Sequence, residues 1–352
     1  MKALKRFLSF ALVLLLMLSL CAGLASADGA KEIKLLSYNV AGLPSIQGII
    51  GMQNVNVPDN QYRLGKQLNT LGYDIIAVQE DFGYHCLLSS GLTNYRYKTV
   101  HSGGIPGGDG MNIFSKYPIY NAKRTPWDMT YGVINEGADE LTPKGILYSL
   151  IDLGNDMYID LYVIHADAYD GVGSRAARND NFRQLAELIA AKGTARPVIV
   201  TGDFNTTSHL DQGAEFTRIL ISEAGFKDAW TELYNGGDYV DYSSHAASGT
   251  PYWGNWDSVE KVLYRDGGGI HVEAADFEYK SFTNGGVSIS DHNAASAALR
   301  FTKTDDTVPD TGRLRVTMPD PLGALTNKVL VTVRDLQKIF LHFDEVVALL
   351  KG

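Results

Sequence analysis

Cysteine is nearly missing from this chain: 352 residues hold two, Cys21 and Cys86. Cys21 lies in an N-terminal apolar segment, so a chain that loses that segment keeps Cys86 alone and an intramolecular disulfide is excluded. Basic side chains are outnumbered, with 31 Lys and Arg against 40 Asp and Glu and a net charge of −9. That balance argues against tight nucleic-acid binding, which leans on Lys and Arg neutralising phosphates. The N-terminal apolar run, Phe7–Leu20, is shorter than the roughly 18 residues a membrane-spanning helix needs. No repeat recurs at solenoid periods. A Walker-type phosphate loop is missing too. His101-Ser102-Gly103-Gly104-Ile105-Pro106-Gly107-Gly108-Asp109-Gly110 is glycine-rich, but it lacks the spacing and the following helix, and it reads as a turn into a strand over Met111–Ser115.

What is present begins with an export pattern. Lys2, Lys5 and Arg6 precede the apolar run and Ala25-Ser26-Ala27 follows it, a basic, apolar and small-x-small order that predicts a leader over residues 1–27 and a secreted protein. Removing it lowers the basic count from 31 to 28 against 40 acids, so the net charge moves from −9 to −12. A hydrophobic content of 45% supports one large core, expected over 28–302. A Thr/Asp/Pro linker is expected over 303–312, and a strand–helix extension over 313–352. The extension's helix carries Leu336, Ile339, Phe340, Phe343, Val346, Val347 and Leu350 on one face.

The chemistry sits where predicted strands end. Pro197-Val198-Ile199-Val200-Thr201-Gly202-Asp203-Phe204-Asn205 reads as a buried strand with a carboxylate and a carboxamide one residue apart at its end. In extended chain, residues i and i+2 face the same way. Asn39 ends a strand over Ile33–Val40, Glu80 one over Tyr73–Glu80 and His165 one over Met157–His165, while Asp291 and His292 precede a last strand over Ala294–Phe301. Helices are expected around Leu64, Leu68 and Leu71, over Ala176–Ala191 and over Gly213–Ala224. Polar residues gathered on one sheet edge make a ligand site. Three carboxylates, two carboxamides and two imidazoles without a thiol suit Mg²⁺, with Mn²⁺ or Ca²⁺ as alternatives, over zinc. Hydrolysis of a phosphoester needs such parts: a cation on the phosphoryl oxygens, a base for water and help for the leaving oxygen.

Tyr38-Asn39-Val40, Val78-Gln79-Glu80, Ile164-His165-Ala166-Asp167, Gly202-Asp203-Phe204-Asn205 and Ser290-Asp291-His292 resemble, in that order, the signature of the endonuclease/exonuclease/phosphatase superfamily with its deoxyribonuclease I-like fold. The resemblance implies an α/β (α+β) four-layer sandwich, two packed mixed β-sheets flanked by helices. It makes Glu80 the main cation ligand, with Asn39 beside it and Asp291 a further candidate. It gives Asp203 and Asn205 the orientation of water and phosphate, His292 the role of general base, and His165 transition-state stabilisation or leaving-group protonation. The family's penultimate motif has an Asp that holds the last His. Here Glu260 takes that position and Asp257 lies three residues earlier, so either carboxylate is a candidate for orienting the imidazole.

Pro143-Lys144-Gly145 and His165-Ala166-Asp167-Ala168, followed by Arg175 and Arg178, are most similar to the secreted sphingomyelinase-like branch. The resemblance implies a metal-dependent phosphodiesterase acting on sphingomyelin or a related phospholipid. The alternatives are a soluble-substrate phosphatase or nuclease on the same scaffold, and a catalytically inert binding protein. Lys144 and Asn112 are candidate substrate-binding residues. Trp253 and Trp256 either sit at a membrane interface, as amphipathic rings favour, or cap the sandwich. A monomer with peripheral membrane contact is expected.

Overall fold

The computed structural model describes residues 30–43, 57–103, 108–133, 139–193, 195–207, 214–239, 257–305, 311–312 and 314–315. The expected leader, most of the C-terminal extension, and the loop with Trp253 and Trp256 lie outside the described residues. No helix among the described residues is long and apolar enough to cross a membrane.

In chain order the elements are β1 (Ala30–Asn39), α1 (Val57–Thr70), β2 (Ile75–Gln79), α2 (His85–Gly91), β3 (Tyr97–Lys98), β4 (Asn112–Ser115) and β5 (Ile119–Pro126). Then come β6 (Gly145–Gly154), β7 (Met157–His165), α3 (Val172–Lys192), β8 (Val198–Asp203) and the short α4 (Ala214–Phe216), which widens into a π-helix over Thr217–Glu223. The last are β9 (Lys227–Asp228), α5 (Ala229–Tyr234), β10 (Glu260–Arg265), β11 (Ile270–Lys280), a small hairpin of β12 (Thr283–Asn284) and β13 (Val287–Ser288), and β14 (Ala294–Lys303). One sheet runs β11-β14-β1-β2-β4-β3 and the other β5-β6-β7-β8-β10-β9. Each is mixed, because β1–β2 and β7–β8 are parallel pairs among antiparallel neighbours.

Strand alternation builds the layers. Ile75 and Ala77 of β2 face a central core that also holds Leu147, Leu161, Val163, Ile199 and Val262 of the other sheet. Ile76 and Val78 point the opposite way, against Leu64 and Leu68 of α1 and Leu88 of α2. On the far side, Phe182, Leu185 and Ile189 of α3 cover Ile164, Val198 and Val200. Helix, sheet, sheet and helix therefore stack as the expected four-layer sandwich, with strands buried on both faces.

Several boundaries moved. α3 starts four residues before the expected Ala176, and the helix expected over Gly213–Ala224 mostly takes the wider i→i+5 pairing. Leu71, expected on the buried face of α1, lies past the helix end and is exposed. β5 carried no apolar run to predict it. It is an edge strand with Lys123, Arg124 and Pro126, residues that edges tolerate. Beyond the expected linker, Arg315 returns to this edge: Asn121 N donates to Arg315 O at 2.9 Å and Arg315 N to Asn121 Oδ1 at 2.8 Å.

Candidate active site

Register brings the polar ends of both sheets to one mouth. His165 and Glu260 are each paired with Asp203 across neighbouring strands, so the three residues form a row on the inner face. From the other sheet, Asn39 lies on the same face of β1 as the core residues Ile33 and Leu35. Its Nδ2 donates to Glu80 Oε1 at 3.0 Å and to Asp203 Oδ2 at 3.1 Å, and His292 Nε2 lies 3.4 Å away. One carboxamide thus joins two sheets.

Continued alternation would send Glu80 outward with Ile76 and Val78. Its φ of 56° breaks the pattern, a conformation uncommon outside glycine, and turns the carboxylate back toward Asn39. Gly42 N and Phe82 N both donate to Glu80 O, at 3.0 and 2.9 Å, and Asp81 N donates to Gly110 O at 2.9 Å. A Cβ on Gly42 would lie 2.5 Å from Glu80 O, so only glycine fits beneath the turn. Local strain held by its surroundings in this way is a mark of functional positions.

The row on the second sheet is equally tied. His165 Nε2 lies 3.4 Å and His292 Nδ1 3.8 Å from Asp203 Oδ2. His292 Nδ1 hydrogen-bonds Glu260 Oε1, and Ser258 Oγ donates to Glu260 Oε2 at 2.8 Å. Ser290 Oγ donates to Asn39 O at 2.7 Å and accepts from His292 N at 3.1 Å, which pins the imidazole's backbone to β1. Of the two carboxylates open from the sequence, Glu260 is the one that meets His292. Asp257 instead pairs with the buried Lys261, which also faces Asp228.

Three expected residues stand elsewhere. Asn205 has φ 50°, so the extended i, i+2 argument fails there. Its Nδ2 donates to Ala166 O at 3.0 Å and its backbone N to Asp203 Oδ1 at 2.9 Å, which makes it a clamp between the ends of β7 and β8. Asn112 is buried beneath the Glu80 turn, where its Nδ2 donates to Asp81 Oδ2 at 2.9 Å and its Oδ1 accepts from Arg124 Nη2 at 3.1 Å and Thr99 Oγ1 at 3.3 Å. These bonds commit it to the scaffold rather than to a substrate. Asp291 has its side chain 83% exposed, with Oδ1 3.9 Å from His292 Nε2, at the rim of the site.

Lys144 is buried, not solvated. Its Nζ pairs with Asp139 Oδ1 at 2.5 Å and donates to Ala166 O at 3.4 Å. Asp139 is a site residue that sequence reasoning missed, since an acid five positions upstream in a loop gives no periodic signal. Trp127 was missed likewise. Its Nε1 donates to His165 O at 2.7 Å, closing the end of β7.

The charges are unequal. Burial pushes Glu80's carboxyl up, and the Asn39 hydrogen bond with the fields of Lys144 and His292 only partly offsets this. Burial acts the same way on Asp203, but His292, His165, Lys144 and Asn39 outweigh it and hold that carboxyl down. Burial and Lys144 push the His165 ring well below its ordinary range despite Asp203. For His292 burial again opposes the charge, yet Asp203 and the Glu260 hydrogen bond raise the ring to about 10. Two carboxylates against one imidazole keep that proton on the ring.

Glu80 forms no ion pair with any described residue, so its mouth of the site is short of positive charge. A divalent cation with oxygen ligands fits that deficit. Asp203, Glu260 and His292 also place one ligand atom each within 4.8 Å of one another. His292 and Glu260 are already bonded to each other, which leaves Glu80 as the better-suited cation ligand; Asn39 beside it presents Nδ2 and would ligate only by turning in its Oδ1, which here accepts from Ala41 N at 3.1 Å.

Comparison with known proteins agrees with the fold. The model of the endonuclease/exonuclease/phosphatase family matches residues 36–292. A sphingomyelinase of Mycobacterium tuberculosis is 28% identical over 281 residues, which cover 77% of this chain and 53% of that protein; the chain therefore spans about half the length of this relative. The crystal structure of sphingomyelinase C from Streptomyces griseocarneus superposes with a TM-score of 0.51 at 18% identity, covering 76% of this chain and 99% of that one. A beta toxin variant from Staphylococcus aureus with bound magnesium ions superposes at 0.50 and 16% identity, over 76% and 99% of the two chains. With its matched span taking in all five motifs, the chain belongs to the endonuclease/exonuclease/phosphatase family.

Proposed function

We propose that this protein is a secreted, divalent-metal-dependent phosphodiesterase that hydrolyses sphingomyelin or a related phospholipid. The observation that carries the reading is the convergence of Asn39 and Glu80 from one sheet with His165, Asp203 and Glu260 from the other, around His292, within hydrogen-bonding reach. A binding protein has no need of two imidazoles held to carboxylates at one spot. The sphingomyelinase relative and the magnesium-bearing neighbour point to the same substrate class and cofactor.

Glu80 would hold the cation, joined by Asn39 once its amide turns Oδ1 toward the site, Mg²⁺ first and Mn²⁺ or Ca²⁺ as alternatives; when bound the ion supplies Lewis-acid polarisation of the phosphoryl oxygens. Glu260 fixes the His292 ring through Nδ1, so Nε2 faces the mouth; it takes the proton of the attacking water only in the ring's neutral form, the fraction that grows as pH rises toward about 10. Asp203 orients that water and both imidazoles. His165, held neutral, donates a hydrogen bond through Nε2 to the departing oxygen, which takes its proton from solvent as it leaves. The buried Lys144, beside the end of β7, supplies positive charge toward the phosphate.

The test is a substrate panel: purified protein with EDTA or with Mg²⁺, on sphingomyelin, plasmid DNA and inositol phosphates. Mg²⁺-dependent release of phosphocholine from sphingomyelin is expected. Turnover of DNA or inositol phosphates alone would move the protein to another branch of the family, and bound metal without any turnover would make it a binding protein.

A further inference from the structure

Large apolar side chains exposed singly are ordinary, whereas a contiguous group beside a site is informative. Two loops leave the same point at the end of β7. One starts at Trp127, bonded to His165 O, and exposes Met129 at 40% and Tyr131 at 38%. The other follows Ala166 and exposes Tyr169 at 59% and Val172 at 80%. Tyr131 N donates to Asp167 Oδ2 at 2.8 Å, and the Tyr131 ring lies directly against the backbone of Gly173, so the two loops form one surface.

This surface is built. Tyr169 has φ 67°, an outlier for a bulky residue. The buried Arg178 holds the turn, donating to both Asp167 O and Tyr169 O. A guanidinium is thus taken from water to fix a conformation that pushes an aromatic ring outward. We propose that Met129, Tyr131, Tyr169 and Val172 dock the protein on a zwitterionic phospholipid bilayer, with the active-site mouth turned toward the headgroups.

The proposal rests on the phospholipid reading above and specifies how that substrate is met. Tyr rings suit the headgroup level, with an apolar body and a polar tip. Charge selects the kind of bilayer. The exposed charges among the described rim residues are Asp128 and Asp170, the latter partly offset by its 3.1 Å ion pair with Arg178; with a net charge of −12 once residues 1–27 are removed, an anionic leaflet is disfavoured. A phosphocholine surface instead presents its ammonium outermost and matches these carboxylates.

Co-sedimentation with pure phosphatidylcholine vesicles tests this without turnover. The wild type in its secreted form, without residues 1–27, should partition onto them, and adding anionic lipid should weaken the binding. Val172→Asp, and Tyr169→Asp with Val172→Asp, should lower the partition coefficient by about tenfold or more, as expected when charge replaces an apolar interfacial contact. Turnover of a soluble chromogenic phosphocholine ester should stay at the wild-type rate. Val172→Asp alone keeps the test open if the Tyr169 turn fails to fold.

Unchanged partition in Val172→Asp, or binding that requires anionic lipid, would overturn the proposal. A change in sedimentation coefficient without loss of vesicle binding would assign the rim to contact between copies of this chain, and overturn it too. Wild type that binds vesicles but hydrolyses no phosphocholine ester would sink the enzymatic reading and leave the docking surface standing.

Discussion

His292 is held through one ring nitrogen: Nδ1 bonds Glu260, while Nε2 stands 3.4 Å from Asn39 Nδ2 and stays open to water. Glu260→Gln keeps the side chain's shape but removes the charge that fixes the tautomer, so kcat should fall by about 10–100-fold, the usual cost of losing a carboxylate behind a working imidazole. Asp257→Asn should leave kcat near wild type and lower stability by about 1–3 kcal/mol, because it weakens the hold on buried Lys261 while Asp228 still faces it. Equal kcat losses in the two variants would mean that Glu260 does not act through His292. A second residue-scale prediction concerns Asp167, whose carboxyl burial and Asp139 raise from 3.8 to about 7. Between those values the unfolded chain releases this proton and the folded one keeps it, so stability falls as pH rises from about 4 to 7 and then levels off. Asp167→Asn should remove that slope and raise Tm at pH 8 relative to wild type. Thermal melts across pH 4–8 decide it, and an unchanged slope in the variant would refute the assignment.

At the scale of elements, the turn from β2 into α2 aims the proposed cation ligand. Gly42→Ala introduces a Cβ that would sit 2.5 Å from Glu80 O, while Gly42 itself is not among the positive-φ residues, so the chain can still fold with the carboxylate misaimed. Metal affinity read by calorimetry should drop by about 10–100-fold, the range for groups that orient a ligand, with the circular dichroism spectrum retained. Wild-type affinity would show that the turn does not set the site. This turn also marks what the sequence could and could not give. Asn39, His165 and Asp203 were legible because they end apolar strands and keep the period-2 pattern. Glu80 was legible as a strand end, yet its direction was not: alternation alone sends it outward, and the left-handed step is held by contacts with Gly42 and Gly110, 38 and 30 positions away. Asn205 fails for the same reason. The choice between Glu260 and Asp257 depended on which side of β10 faces the inner layer, and Asn112 read as a site residue because its burial under Arg124 is a tertiary fact.

The whole molecule places the site between its two sheets, so the proposed cation binding would be a matter of global stability. Glu80 and Asn39 belong to one sheet and Asp203 to the other, with Asn39 Nδ2 already spanning them. The central core joins the same two layers through apolar contact, and Arg124 of β5 reaches across to Asn112 of β4. A ligand that binds only the folded state stabilises it by about 2.7 kcal/mol at a hundred times its Kd. For a domain of this size that corresponds to a Tm increase of about 5 °C. The rise should appear with Mg²⁺ in wild type, be reversed by EDTA, and vanish in Glu80→Gln, whose neutral side chain no longer supplies the uncompensated charge. His292→Ala should keep the rise while losing at least about a hundredfold in turnover, the usual size of a general-base effect, because its imidazole is assigned to the proton and not to the ion. A Tm indifferent to Mg²⁺, Mn²⁺ and Ca²⁺, or a rise that survives in Glu80→Gln, would place the cation elsewhere or remove it from the account.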